Sequence, residues 1–194
     1  MQNRDAVTIC MFGEGATNIG FFHEGVNLAK TWELPILWVC ENNRYGMGTS
    51  PERASAVSDI IQKACGYQMP AYDVDGMDLI AVMEMISEQL EEIRNGSGPQ
   101  FVEVCTYRYR GHSMGDAECY RSKEEVERFQ EKDPIDQFKK LILDEDIASE
   151  DEIKEIEEDV EKEIEEGVEF ARQSPEPPDE ALFEDIYVEE LERG

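Results

Sequence analysis

The run Gly13-Glu14-Gly15-Ala16 sets a carboxylate between two glycines, and Glu41-Asn42-Asn43 ends a later stretch in paired amides. Each follows an apolar run of strand length, "AVTICMF" and "PILWVCE". Ligands of open α/β sheets sit beyond the carboxyl ends of the strands, where both groups fall. Gly13 and Gly15 permit a sharp turn and leave room for a ligand against the backbone. A helix beginning after Gly15 would aim its free N–H groups at the same point, which favours a phosphate. Glu14 would repel that phosphate unless a cation lay between them. Magnesium takes hard oxygen ligands and is commonly shared between carboxylates and phosphates. Glu14, an amide oxygen of Asn42 or Asn43 and a nearby carbonyl therefore read as a metal–diphosphate site. A plainer reading stays open: a strand-to-helix turn with an exposed acid, and a strand that stops in turn formers.

The elements that would carry these residues follow from hydrophobic pattern. The two apolar runs do not alternate, which suits strands buried on both faces of a parallel sheet. Between them Ile19, Phe22, Val26, Leu28 and Ala29 lie roughly on one helical face, with Thr17 or Asn18 placed to cap it. Strand, helix, strand makes a βαβ unit. Residues 58–65 read as a short helix and "MPAYDVDG" as a short strand and turn. A long amphipathic helix carrying Leu79, Val82, Met83, Ile86, Leu90 and Ile93 stops at "NGSGP". "QFVEVCTYRY" is a third clear strand. A polar loop, "RGHSMGDAECYRSKEE", follows it, and then helices over 122–131, 134–143 and 149–172. The last has an apolar stripe of Ile153, Ile156, Val160, Ile164 and Val168 surrounded by acids. After "SPEPPDE" a tail could pack through Leu182, Phe183, Ile186 and Tyr187. The division expected is an α/β domain over 1–121 and an acidic helical region over 122–194, packing on that domain or on partner subunits.

Bulk properties exclude several classes. Net charge is -28, which rules out nucleic-acid binding by phosphate neutralisation. The last 51 residues hold 23 acids and four bases, a solvated helical face or a docking surface for a basic partner. No apolar run is long enough to cross a bilayer and no signal peptide is evident. The five cysteines form no CxxC pair, and three lie in apolar strand-like runs, so buried reduced thiols in a cytoplasmic setting are expected. His23 and His112, the only histidines, lack zinc-ligand spacing, and His23 reads as a packing residue.

Residues 13–43 resemble the thiamine-diphosphate motif, which begins glycine–aspartate–glycine and ends in paired asparagines. The longer runs "GEGATNIGFFHEGVNLAKTWELPILWVCENNRYGMGTSPERAS" and "TYRYRGHSMGDAECYRSKEEVERFQEKDPI" resemble the alpha subunit of 2-oxo acid dehydrogenase first components, nearest the pyruvate and acetoin members. The resemblance implies an α/β fold: a partial parallel-sheet thiamine-diphosphate-binding domain with a helical C-terminal extension. It implies magnesium held by Glu14, Asn43 and the Tyr45 carbonyl, and a diphosphate lined by Gly13, Gly15 and Ala16. His112 matches an active-site histidine on a loop that reaches the cofactor. The activity implied is decarboxylation of a 2-oxo acid and passage of the acyl group to the lipoyl arm of an acyltransferase. Acetoin or a branched-chain 2-oxo acid is the alternative substrate, and a non-catalytic assembly subunit the alternative role. A beta subunit would supply the glutamate at the cofactor's pyrimidine end.

Two departures from the family pattern matter. Glu14 replaces the shorter aspartate, while magnesium demands near-ideal octahedral geometry. The chain also begins close to the metal-binding strand, so an N-terminal half of the alpha subunit is expected as a separate chain, or the sequence is a fragment or a late-start reading frame.

Overall fold

The computed structural model describes residues 6–184. Four strands form one sheet: β1 (Thr8–Gly13), β2 (Ile36–Asn42), β3 (Ala71–Asp75) and β4 (Gln100–Cys105). Their order is β1-β2-β4-β3, and every neighbouring pair is parallel. This is the α/β architecture the apolar runs predict.

The two central strands are buried on both faces. On one face Cys40 and Phe101 pack with Phe22 and Val26 of α1 (Gly20–Thr31) and with Ala64 of α3 (Ile61–Cys65). On the other, Leu37, Val39 and Val102 pack under Ile93 of α4 (Leu79–Arg94), with Val82, Ile86 and Leu90 beside them. Helix α4 starts on Asp78, whose side chain accepts from Ala81 N. It ends before Gly96 and Gly98, whose φ of 92° and 78° suit glycine alone. Helix α2 (Pro51–Ala54) is a single turn between β2 and α3.

β1 departs from the expected double burial. It lies at the edge, pairing with β2 alone among the described residues, and Ile9 and Met11 are 47% and 73% exposed. Val7 belongs to the α4-side core, so Ile9 and Met11, two and four residues on, point to that same face where α4 does not reach.

Helix α1 needs two corrections. Phe22, Val26 and Ala29 are buried, whereas Ile19 and Leu28 are exposed. Residues 22, 26 and 29 follow helical spacing, but Leu28 falls two positions past Val26 and so on the opposite side. Neither Thr17 nor Asn18 caps the helix. Residues Glu14–Asn18 form a 3-10 turn, Ile19 stands at the N-cap, and no side chain caps it.

The chain divides into compact units at Leu141 and Ile142. The first unit includes α5 (Lys123–Gln130), started by Ser122, whose side chain accepts from Glu125 N. Helix α6 (Pro134–Asp144) runs into the boundary. The second unit is built on α7 (Glu150–Gln173), opened by a capping box between Ser149 and Glu152. Its stripe residues Ile156, Val160, Ile164 and Val168 are all exposed, as are Leu182 and Phe183, which the sequence placed in a packed tail. The other two residues of that tail, Ile186 and Tyr187, lie outside the described residues.

Candidate active site

Glu14 follows directly on β1, and only 5% of it is exposed. Its Oε1 has no hydrogen-bond partner. A buried carboxylate oxygen without a donor costs several kcal/mol in an apolar setting unless a cation compensates it. Glu14 lines a cavity of about 100 Å³ together with Gly15, Thr17, Gly46, Thr49 and Lys63 among others. A Cβ on Gly46 would stand 3.4 Å from Glu14 Oε1 and 3.8 Å from Gly15 Cα, in van der Waals contact with both. Gly15 likewise approaches Gly46 Cα, at 4.0 Å from where its own Cβ would be. These glycines allow two backbones to meet over one carboxylate. Neither Gly13 nor Gly15 has a positive φ, so no left-handed turn requires them.

The turn that carries Glu14 is held from below. Thr17, 1% exposed, donates its hydroxyl to the Glu14 carbonyl at 2.7 Å. Lys63 Nζ in turn donates to Thr17 Oγ1 at 2.7 Å and to Asn18 Oδ1 at 2.9 Å. Burial lowers the Lys63 pKa. Thr17 and Lys63 escaped sequence reasoning, because nothing in "GATNIG" shows which polar group turns inward.

At the second strand end the two asparagines are held differently. Asn42 Nδ2 donates to Glu103 Oε1 at 2.7 Å, and Asn42 Oδ1 accepts from Arg44 N at 3.0 Å. Both ends of that amide are engaged. Asn43 makes one hydrogen bond of this kind, its Oδ1 accepting from Tyr45 N at 3.3 Å. The turn is strained: Arg44 and Met47 have φ of 71° and 59°. Gly46 and Thr49 close it with reciprocal backbone hydrogen bonds of 3.0 and 3.2 Å.

Tyr45 is anchored by its side chain. Its hydroxyl and that of Tyr107 both donate to Glu125 Oε1, at 2.9 and 2.8 Å. Burial and this carboxylate push the Tyr45 phenol up to about 12, so it stays neutral. The Arg121 guanidinium lies over the rings of Tyr45, Tyr107 and Tyr120 at 5.6–5.7 Å. Arg121 also pairs with Glu118 at 2.7 Å and donates to the carbonyls of Arg108 and Tyr109.

That arginine fastens the loop bearing His112. Glu118 Oε1 accepts from Gly111 N, and Asp116 Oδ2 accepts from His112 N and from the Tyr120 hydroxyl. His112 Nδ1 lies 3.1 Å from Arg108 Nη1. Arginine only donates, so Nδ1 is the acceptor and the imidazole proton resides on Nε2. His112 is exposed, its partners lie within its own loop, and it is not among the residues lining the Glu14 cavity. Of the residues expected at the site, Glu14 and Gly15 line this cavity, whereas Gly13, Ala16, Asn43, Tyr45 and His112 do not; the turn bearing Asn43 and Tyr45 reaches it through Gly46 and Thr49, and Tyr45 lines a second cavity with Asn42 and Arg44.

Among the described residues no three of His, Cys, Asp and Glu converge as metal ligands. A cation at Glu14 would complete its shell with amide and carbonyl oxygens and with oxygens of a bound ligand, which suits magnesium. All five cysteines are free. Cys40 is buried and Cys10 and Cys105 half-buried, but Cys65 and Cys119 are exposed, against expectation. Burial pushes Cys105 up to about 11 and Cys40 further, so neither is a nucleophile at neutral pH. No helix among the described residues is long and apolar enough to cross a membrane.

Comparison with known proteins finds relatives along nearly the whole of this chain. The alpha subunit of the pyruvate dehydrogenase E1 component of Rhizobium meliloti (strain 1021) is 45% identical over 188 residues, 96% of this chain and 54% of the relative. The alpha subunit of acetoin:2,6-dichlorophenolindophenol oxidoreductase of Bacillus subtilis (strain 168) is 46% identical over 183 residues, 94% of this chain and 54% of the relative. The mitochondrial pyruvate dehydrogenase E1 alpha subunit type II of Ascaris suum is 45% identical over 93% of this chain. The chain spans about half the length of these relatives. The sequence profile of the dehydrogenase E1 component matches residues 1–180, and the chain belongs to that family.

Proposed function

We propose that the chain is the diphosphate-binding part of the alpha subunit of a thiamine-diphosphate-dependent 2-oxo acid dehydrogenase. The observation that carries this reading is the buried, unpartnered Oε1 of Glu14 beneath a glycine cradle at the carboxyl ends of β1 and β2. Glu14, Asn43 and the Tyr45 carbonyl would hold magnesium, and Gly13, Gly15 and Ala16 would face the diphosphate. When bound, thiamine diphosphate supplies the carbon nucleophile and electron sink for decarboxylation.

The chain's own residues then have separate tasks. Lys63 and Thr17 fix the backbone that presents Glu14. Tyr45, tied to Glu125, fixes the turn beside it. His112 holds a proton at Nε2 on a loop braced by Asp116, Glu118 and Arg121. Pyruvate is the proposed substrate, with transfer to a lipoyl group on an acyltransferase partner. The Bacillus subtilis relative favours acetoin as the second candidate. A beta subunit would complete the cofactor site. A polypeptide matching the rest of the relatives' length would pair along β1, whose open edge and exposed Ile9 and Met11 support such a neighbour.

The test is reconstitution of the chain with those partners and titration of thiamine diphosphate at several magnesium and manganese concentrations. Loss of a charge-assisted contact is worth about 1.5–3 kcal/mol, so Glu14→Ala should weaken binding about 10–100-fold. Glu14→Asp should keep or improve it, and Glu14→Gln should fall between. Equal binding by Ala, Gln and parent proteins would remove Glu14 from the site and favour a non-catalytic role.

A further inference from the structure

Glu103 lies in β4 at 6% exposure, with Phe101 and Val102 fully buried beside it. An ionisable side chain inside a parallel sheet is costly, and an apolar residue would fill the place at lower cost. Burial pushes its carboxyl pKa up, against the opposing pull of the Asn42 hydrogen bond. The residue lines neither the Glu14 cavity nor the wider one around Arg44.

Its partners explain why a carboxylate stands there. Register places Glu103 beside Cys40, so Asn42, two residues further along β2, projects from the same face. Glu103 Oε1 accepts from Asn42 Nδ2 at 2.7 Å, and the Ile61 backbone N–H at the start of α3 is a second donor to the carboxylate. With its amide nitrogen fixed, Asn42 turns Oδ1 onto Arg44 N at 3.0 Å, where Arg44 adopts a φ of 71°. The carbonyls of Asn42 and Asn43 accept from Thr106 N and Arg108 N, which tie the same turn to the chain beyond β4.

We propose that Glu103 is a positioning residue for the candidate metal site, holding through Asn42 the strained turn that presents Asn43 and the Tyr45 carbonyl. The proposal rests on the site reading above. Glu103 touches neither metal nor cofactor. It acts by removing the rotational freedom of one amide, and the turn then has one conformation rather than several.

The test compares Glu103→Gln, which keeps an acceptor for Asn42, with Glu103→Leu, which keeps bulk and removes it. Hydrogen exchange at the Arg44 amide, read by NMR on the full chain, reports the turn without cofactor. Magnesium-dependent thiamine diphosphate binding by the reconstituted assembly reports the site. Glu103→Leu should lose about 10-fold in Arg44 protection and about 10-fold in cofactor affinity. Its urea midpoint should change little, because removal of a buried ionisable group is offset by the donors of Asn42 and Ile61 losing their acceptor. Glu103→Gln should retain protection and affinity. If Glu103→Leu fails to fold, Asn42→Asp carries the test: it keeps the acceptor for Arg44, removes the donor to Glu103, and should show the same two losses. Parent-like protection and affinity in Glu103→Leu, or in Asn42→Asp where that variant carries the test, would overturn the proposal, as would Glu103→Gln failing as badly as Glu103→Leu. If Arg44 protection falls while neither Glu14→Ala nor the Glu103 variants change cofactor binding, the metal site has been misplaced and Glu103 positions only the turn, which also overturns it.

Discussion

Gly13 has no heavy atom within 4 Å of where a Cβ would stand, and its φ of -83° is open to any residue. The fold therefore does not demand glycine there. Gly13→Ala should leave the urea midpoint unchanged or slightly higher, since alanine narrows the unfolded ensemble. If the diphosphate lies against this backbone, the same substitution should weaken cofactor binding by the assembly. Unchanged binding would mean that Gly13 does not line the site. His112 offers a second residue-level test. The backbone N–H groups of Glu118 and His112 hold the Asp116 carboxyl below its ordinary value, and Arg121 with Gly111 N does the same for Glu118. Carboxylates with depressed pKa values stabilise the folded loop above their unfolded values, about 4, and lose that contribution as pH falls through the folded ones. Hydrogen exchange at Gly111 and His112 should stay slow from neutral pH down to about 4.5 and accelerate below it, beyond the intrinsic pH dependence. Protection that is flat with pH would show that the two acids do not order the loop. Glycine and strand-end context pointed to Glu14 and to Asn42 or Asn43, whereas the choice of Asn43 and the Tyr45 carbonyl came only with the family resemblance. Thr17, Lys63, Asp116 and Arg121 were not legible, because their partners lie on other elements or across an irregular loop.

At the scale of elements, long periodic segments were read well and junctions poorly. Helix α4 and the capped starts of α5 and α7 carry their own signals: Asp78, Ser122 and Ser149 at the N-caps, and Gly96 after the end. The segment after β1 does not. "EGATN" could cap a helix, but Thr17 spends its hydroxyl on the Glu14 carbonyl instead, and the chain takes a 3-10 turn before α1 begins. β1 looked like a buried strand because composition reports hydrophobicity and not the number of neighbours. The β3–α4 connection carries the element-level prediction. A Cβ on Gly76 would stand 2.5 Å from Thr106 Cγ2, 2.7 Å from Val104 Cγ1 and 2.9 Å from the Cys105 carbonyl oxygen. That carbonyl already accepts from Gly76 N at 2.9 Å, so the two backbones cannot separate without losing the bond. Overpacking of this kind costs about 1–3 kcal/mol. Gly76→Ala should lower the urea midpoint accordingly, whereas Gly13→Ala should not. Equal midpoints would show that the loop yields more easily than its packing indicates.

For the molecule as a whole, two opposing features govern association. Net charge of -28 makes copies repel one another. Among the described residues the edge of β1, with Ile9 and Met11 exposed on one face and Phe21 82% exposed on α1, offers unpaired backbone and apolar surface together. Charge was evident from composition, and exposure of Met11 at 73% gives the edge of β1 a residue. Repulsion between exposed charges is screened over about 3 Å at 1 M salt and about 30 Å at 0.01 M, whereas apolar contact is not weakened by salt. The isolated chain should thus sediment as a monomer at about 0.01 M salt and associate progressively toward about 1 M. Met11→Lys places a charge at the edge, a device that natural edge strands use against pairing. It should suppress association across the whole salt range with little change in urea midpoint. A partner polypeptide that pairs along β1 should suppress association of the parent chain in the same way. Sedimentation velocity at three salt concentrations, for parent, Met11→Lys and the mixture with the partner, decides the matter. Association that Met11→Lys leaves intact would locate the contact elsewhere, with the exposed stripe of Ile156, Val160 and Ile164 on α7 the next surface to charge.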